Sequence, residues 1–312
     1  MATLRLLTTP DNADGSHRIG SPGGYELWHF YAEDPSRRLR IAAAFYDGFN
    51  LHPVYARRYE AYRRKPTRNA PPTPSQYACL QVSVFENEKR LASSTIYFAA
   101  GSFLAEDGPV LTLGSNRAIF RGDEITLALS DPQQATSIDL IFQSALTTTT
   151  PPEKSFPPDT INIAEHQWVP ARPLCGVQGR VRRGGRTIPV SGLGQHNHYY
   201  GTGPVLAVAR RWIRGCVLFP RAAEMFQAAD GHSIAITAGE SGIQAIENPP
   251  IIAEWKKPMF GGPTYPLTMN FGDRLILRNP RIARSMGAQL QMIYDAYVEG
   301  EQTTAWVEID CR

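Results

Sequence analysis

Apolar residues in this chain recur mostly in short runs with a period of two, the pattern of strands whose alternate side chains enter a core. "RLRIAAAFYDGF", "YACLQVSVFEN", "STIYFAAGSF", "EITLALSD" and "SIDLIFQSAL" carry it through the first half, between Gly, Pro, Asp and Asn punctuation. A second series follows in "TIPVSGLGQ", "VLAVARRWIRGCVLF", "HSIAITAG", "PLTMNFGDRLILRN", "AQLQMIYDAYVEG" and "TAWVEID". Alternation is cleanest where Leu290, Met292, Tyr294 and Ala296 interleave with Gln289, Gln291, Ile293 and Asp295. Helical spacing is confined to "PVYARRYEAYRRK" and "RAAEMFQAAD". Residues 147–159, "TTTTPPEKSFPPD", have little to bury and read as a linker. The expected fold is all-β: two antiparallel barrel domains, residues 1–146 and 160–312, alike enough in length and pattern to be a duplication.

Composition narrows the partners. The 26 glycines and 25 prolines in 312 residues suit a loop-rich β protein, and a net charge of +3 gives no footprint for nucleic acid. The basic stretch "RRYEAYRRKPTR" reads as a solvated face, with phosphate or an anionic membrane surface as the alternative. The N-terminal "MATLRLLTTPDNADG" lacks a signal peptide's apolar core, and no run approaches the roughly 18 apolar residues of a membrane span. A cytoplasmic protein is expected, in peripheral contact with a membrane only to obtain an apolar substrate. Cys79, Cys175, Cys216 and Cys311 have no metal-ligand spacing and are expected as reduced thiols, most of them buried. GxSxG, P-loop and HExxH motifs are absent, which weighs against common hydrolase and kinase chemistries.

Residues 191–204, "SGLGQHNHYYGTGP", concentrate the candidate chemistry. In an extended strand His196 and His198 face one way and Asn197 the other. Three readings fit. A metal site needs both imidazoles about 2 Å from one ion and a third ligand. No carboxylate follows before Glu224, which weighs against it, and no metal is expected. The histidines otherwise serve as hydrogen-bonded core groups, or as an acid–base or orienting pair near neutral pH. The glycines permit close backbone approach or a bulge and lack the spacing of a dinucleotide fingerprint.

The motif resembles the G-x-G-Y-H-D-H-N-W-G signature of the carotenoid 1,2-hydratase (hydroxyneurosporene synthase) family, matching at Gly192, Gly194, His196, His198 and Gly201. "GGYELWHFYAEDPSRRLRIAAAFYDGFNLHPVY" resembles that family's opening E-W-W-Y-F-D-A strand and its successor. "HQWVPARPLCGVQGRVRRGGRTIPVSGLG" and "RRWIRGCVLF" keep the family's order. The resemblance implies tandem lipocalin-like barrels, with an apolar cavity at or near their junction, acting on a long isoprenoid or polyene molecule. Carotenoid hydratases, tocopherol cyclase and decalin-forming Diels–Alderases share this type, and none requires a metal or organic cofactor. There are departures. Gln195, Asn197, Tyr199 and Tyr200 replace Tyr, Asp, Asn and Trp, and Met225 and Gln227 fall where a Tyr and an Asp are expected, with Glu224 and Asp230 the nearest acids.

Hydrating a trisubstituted alkene means protonating a very weak base to a tertiary cation, so the acid must be desolvated and the cation lined with aromatic faces. Catalytic candidates are His196, His198 and Glu26, the last as proton source or orienter. Glu26 shares a predicted face with Trp28 and Phe30; its competing reading is a salt bridge to Arg211 or Arg214. Asp47, Asp295 and Glu308 are weaker acids for the role. Trp28, Asn197, Tyr199, Tyr200, Trp212 and Tyr294 are the expected substrate contacts. A pericyclase would need only a curved apolar pocket with neutral donors such as Gln195, Asn197 or Tyr199, and a non-catalytic lipid or pigment carrier only an apolar lumen.

Overall fold

The alternating runs fold as strands. The computed structural model describes residues 5–6, 15–105, 110–146, 166–229, 232–246, 251–257, 263–272, 274–298 and 300–311. One sheet comprises β1 (Arg5–Leu6), β2 (Tyr25–Asp34), β3 (Leu39–Asp47), β4 (Cys79–Glu86), β5 (Lys89–Tyr97), β6 (Phe103–Ala105), β7 (Val110–Leu113), β8 (Asn116–Arg121), β9 (Glu124–Asp131), β10 (Thr136–Ser144), β11 (His166–Arg183) and β12 (Arg186–Gly201). Its order is β5-β4-β3-β2-β12-β11-β10-β9-β8-β7-β6, with β1 parallel to β11. Apart from β1, only the β12–β2 contact joins strands distant in sequence. The sheet is thus an antiparallel meander, open between β5 and β6 and closed where its last strand returns to β2.

The second sheet comprises β13 (Arg211–Phe219), β14 (Ala222–Ala229), β15 (His232–Gly239), β16 (Gly242–Ile246), β17 (Ile251–Lys256), β18 (Tyr265–Phe271), β19 (Leu275–Met286), β20 (Gln289–Val298) and β21 (Glu301–Cys311). Its order, β16-β15-β14-β13-β21-β20-β19-β18-β17, repeats the plan: a meander closed by its first and last strands. The all-β expectation of two tandem antiparallel barrel-type sheets holds. Each has its own core. Trp28, Phe30, Phe45, Phe120 and Phe142 anchor the first, and Phe226, Phe271, Leu290, Met292 and Tyr294 the second.

The division between the units differs from the expected one. The described residues separate at Pro204/Val205, because β11 and β12 complete the first sheet by pairing with β10 and β2. The Pro/Thr-rich stretch 147–159, outside the described residues, connects two neighbouring strands of one sheet. Its composition marks a chain that buries little, and that is equally true of a long strand connection.

Of the two expected helices, one forms. Helix α1 (Pro53–Arg64) begins with proline at its first position, and His52 Nδ1 accepts from the Val54 and Tyr55 N–H groups. Arg57, Arg58, Arg63 and Arg64 are exposed on it. Within "RAAEMFQAAD", Ala222–Ala229 instead form β14, paired on both sides by β13 and β15; pairing overrides their modest helix propensity. A single turn, α2 (Val205–Val208), opens the second unit. All four cysteines are buried and unbridged. Among the described residues no helix is long and apolar enough to cross a membrane.

Candidate functional site

The glycines of the 191–204 motif set how closely β12 lies against its neighbours. A Cβ on Gly192 would collide with the Glu33 carbonyl of β2. One on Gly194 would come within 2.7 Å of Phe142 and of the Tyr31 carbonyl. This approach fixes the register: Tyr200 opposes Glu26, His198 opposes Trp28 and His196 opposes Phe30. Across the next ladder Glu26 opposes Asp47 and Trp28 opposes Phe45. Directly opposed residues share a face. One face therefore carries Tyr200, Glu26 and Asp47 in a row, with His198, Trp28 and Phe45 in the row beside it.

Glu26 is fully buried and collects four hydrogen bonds. Its Oε1 accepts from the His17 backbone N–H (2.7 Å), His17 Nδ1 (2.9 Å) and His198 Nε2 (3.0 Å), and its Oε2 from Ser16 Oγ (2.9 Å). Burial pushes the carboxyl up, but the donors from His17 and His198 outweigh it and hold Glu26 at about 2. Glu26 is therefore a carboxylate at neutral pH, which of its two expected roles, proton source or orienter, favours the orienter. An ionised carboxylate only accepts, so His198 donates through Nε2–H and Nδ1 is its basic nitrogen. The His198 ring stacks on Trp28 (4.6 Å), and His17 stacks on Tyr200 (3.7 Å).

Asp47 behaves in the opposite way. Burial, and then the Glu26 charge across the ladder, push its carboxyl up to about 7. Its Oδ1 is buried without a hydrogen-bond partner among the described residues. The arginines weighed as partners of Glu26 are engaged elsewhere. Arg214 bonds Glu308 (2.8 Å) and Asp310 (2.7 Å), while Arg211 bonds Thr264 and lies over Trp255.

The remaining candidates divide by face and by unit. His196 shares the face of His198, donates from Nδ1 to the His29 carbonyl (3.1 Å) and stacks on Phe30 (4.4 Å). Asn197 and Tyr199 point to the opposite face, where Trp168 Nε1–H donates to Asn197 Oδ1 (2.9 Å) and the Trp168 ring stacks on Tyr199. Trp212 and Tyr294 belong to the second unit, on opposite faces of its sheet. Trp212 donates to Gln227 Oε1 (3.1 Å) and Tyr294 to the Pro266 carbonyl (2.6 Å). Glu224 is ion-paired with Arg274, and Asp230 lies outside the described residues.

His17 and Ser16 escaped sequence reasoning, since they sit in irregular chain before β2 with no periodicity to mark them. With them, His17, Glu26 and His198 offer ligand atoms within 4.8 Å of one another, the donor set of a His2Glu cation site. Three N–H groups already converge on Oε1, and the arrangement is that of a hydrogen-bonded carboxylate.

No protein-family profile matches the chain. It is 26% identical over 234 residues to a hydroxyneurosporene dehydrogenase of Chlorobaculum tepidum, a match spanning 67% of this chain and 57% of that protein. The chain thus spans little more than half the length of the curated relative it matches. Among solved structures, a Nitrosomonas europaea protein assigned as AttH superposes with a TM-score of 0.68 at 14% identity, over 99% of this chain and 98% of that one. CghA, solved with Sch210972, superposes at 0.53 and 9% identity, over 97% and 95%. The fold is lipocalin-like, and the resemblance to the carotenoid 1,2-hydratase group is borne out.

Proposed function

We propose that this protein is a cofactor-independent enzyme that acts on a hydrophobic isoprenoid or polyene substrate, hydrating an alkene or starting a cyclisation with a proton. The observation that carries this reading is the buried Glu26–His198 pair on an aromatic-lined barrel face. A carboxylate and an imidazole are costly to enclose together unless their polarity is used. Protonation of the alkene creates a tertiary cation, which an aromatic lining would stabilise. Water then attacks the cation, and His198 Nδ1, oriented by Glu26 through Nε2–H, accepts the proton the water loses. An internal hydroxyl or alkene attacking instead yields a ring.

A pericyclic reaction would need neutral donors around the substrate. Asn197 and Tyr199 are engaged with Trp168 on the other face, which argues for the protic reading. The test is incubation of the purified protein with terpenoid and carotenoid alkenes in heavy water, with products read by mass spectrometry. Hydration is expected to add water and one carbon-bound deuterium, and cyclisation one deuterium without added water. An isomer free of deuterium would overturn the protic mechanism, and tight binding without turnover would overturn the assignment as an enzyme.

A further inference from the structure

We infer that Asp47, enclosed on the β2–β3 ladder directly opposite the Glu26 carboxylate, is the acid that delivers the proton to the substrate alkene. This rests on the function proposed above and names the donor which that reading leaves open.

Three observations lead to it. First, Asp47 occupies the reactive face: it opposes Glu26, and its strand neighbour on that face, Phe45, opposes Trp28. Second, the other acids weighed for the role pair with arginines, Asp230 excepted, which lies outside the described residues. Glu224 is held by Arg274, Glu308 and Asp310 by Arg214, and Asp295 by Arg281 and Asn279. Among the described residues no cation pairs with Asp47, and its buried Oδ1 accepts no hydrogen bond. Third, two carboxyl groups opposed in one ladder do not both ionise readily, and the one with more donors takes the charge. Glu26 has four donors. Among the described residues, Glu26 from β2 is the titratable group that acts on Asp47; Tyr55 from α1 feels the Asp47 charge in turn, and its hydroxyl donates to the Gly24 carbonyl at 2.6 Å.

The step balances without a co-reactant beyond water. The alkene π pair takes the Asp47 proton to form a C–H bond, leaving Asp47 as carboxylate and the neighbouring carbon as cation. Water oxygen bonds to that carbon, its proton passes to His198 Nδ1, and exchange with water deprotonates the imidazolium and reprotonates Asp47. Removing a positioned general acid costs about 10²- to 10⁴-fold in rate.

Two measurements on the full-length protein test the assignment. Carboxyl-carbon NMR of protein labelled at aspartate should reveal one carboxyl titrating near neutrality. That signal should vanish in Asp47→Asn and move to lower pH in Glu26→Gln. Absence of a neutral-titrating aspartate, or one indifferent to Glu26→Gln, overturns the inference. On an alkene that the wild-type protein converts, Asp47→Asn should lower kcat by the factor above while KM changes little. Wild-type kcat in Asp47→Asn overturns the assignment of Asp47 and leaves the proposed function standing. If the wild-type protein converts no alkene, the proposed function falls and takes this step with it, whatever the titration shows.

Discussion

Glu26 has no exposed surface, and donors from Ser16, His17 and His198 stand where water would otherwise solvate its charge. Because Ser16 and His17 persist in its absence, His198 can be altered without leaving the carboxylate bare. His198→Gln, which retains an N–H donor, is expected to fold with a loss of no more than about 1–3 kcal/mol, yet to lower turnover by about 10²- to 10⁴-fold. Equilibrium denaturation beside a turnover assay checks both, and preserved activity per folded molecule would make His198 structural. The pH dependence of stability follows from the two carboxyls. Glu26, depressed to about 2, contributes stability that is present above its unfolded value of 4.5 and lost as pH falls toward 2. Asp47, raised from 3.8 to about 7, binds a proton that the unfolded chain has released, so its contribution erodes stability as pH climbs through that window. Buried His166, held down to about 4, pulls the other way as pH falls below 6.5, so wild-type stability alone blurs the effect. The difference between Asp47→Asn and wild type isolates it. The variant should gain on wild type from pH 4 to about pH 7 and level off above it, by an amount of order 1 kcal/mol per unit at most, read from urea midpoints. A constant difference would mean that Asp47 keeps an ordinary carboxyl. Parity along one strand was enough to put Glu26 beside Trp28 and to separate His198 from Asn197. Its protonation state was not legible, because that depends on donors from an aperiodic segment.

At the scale of the strand, the motif's glycines act through what their missing side chains allow. Gly192 and Gly194 let β12 close against β2 and against Phe142, and this sets the register that brings His198 and Glu26 together. Gly192→Ala and Gly194→Ala should each cost at least the 1–3 kcal/mol typical of overpacking, since backbone carbonyls of β2 would have to move. Gly176→Ala is the control. It lies on β11 with nothing within 4 Å of the added carbon, and it should stay within about 0.5 kcal/mol of wild type. Denaturant midpoints with unchanged slope decide the matter, and equal effects at the three sites would refute the close-approach account. The sequence permitted either a bulge or close approach at these glycines, and the contacts with the Glu33 and Tyr31 carbonyls decide for close approach. Local pattern served α1 well, where His52 and Pro53 give an explicit start. It failed at β14, where the residues between Ala222 and Ala229 carry helix formers but lie between two ladders. Propensity is local, whereas pairing with β13 and β15 is not.

Across the whole molecule, the two sheets share one plan, in which the first strand of a meander meets its last: β2 with β12, and β13 with β21. The all-β class and the doubling were legible because period-two runs fill both halves. The boundary was not, because it depends on which strand returns to which. Composition pointed to 147–159, a connection inside the first sheet, rather than to Pro204. The consequence is testable by truncation. A chain ending at residue 146 lacks β11 and β12, leaving β10 and β2 each with an unpaired edge and the β2 face without His198 or Tyr200 opposite it. Unpaired edges of that length invite association with other chains. A chain ending at residue 204 retains the whole first sheet and the core of Trp28, Phe30, Phe45, Phe120 and Phe142. Residues 1–204 are therefore expected to give dispersed amide NMR spectra and one cooperative urea transition, and residues 1–146 collapsed or aggregated material with neither. If 1–146 folded cooperatively, the β12–β2 closure would be dispensable, and the register that unites Glu26 with His198 could not be what holds the first unit together.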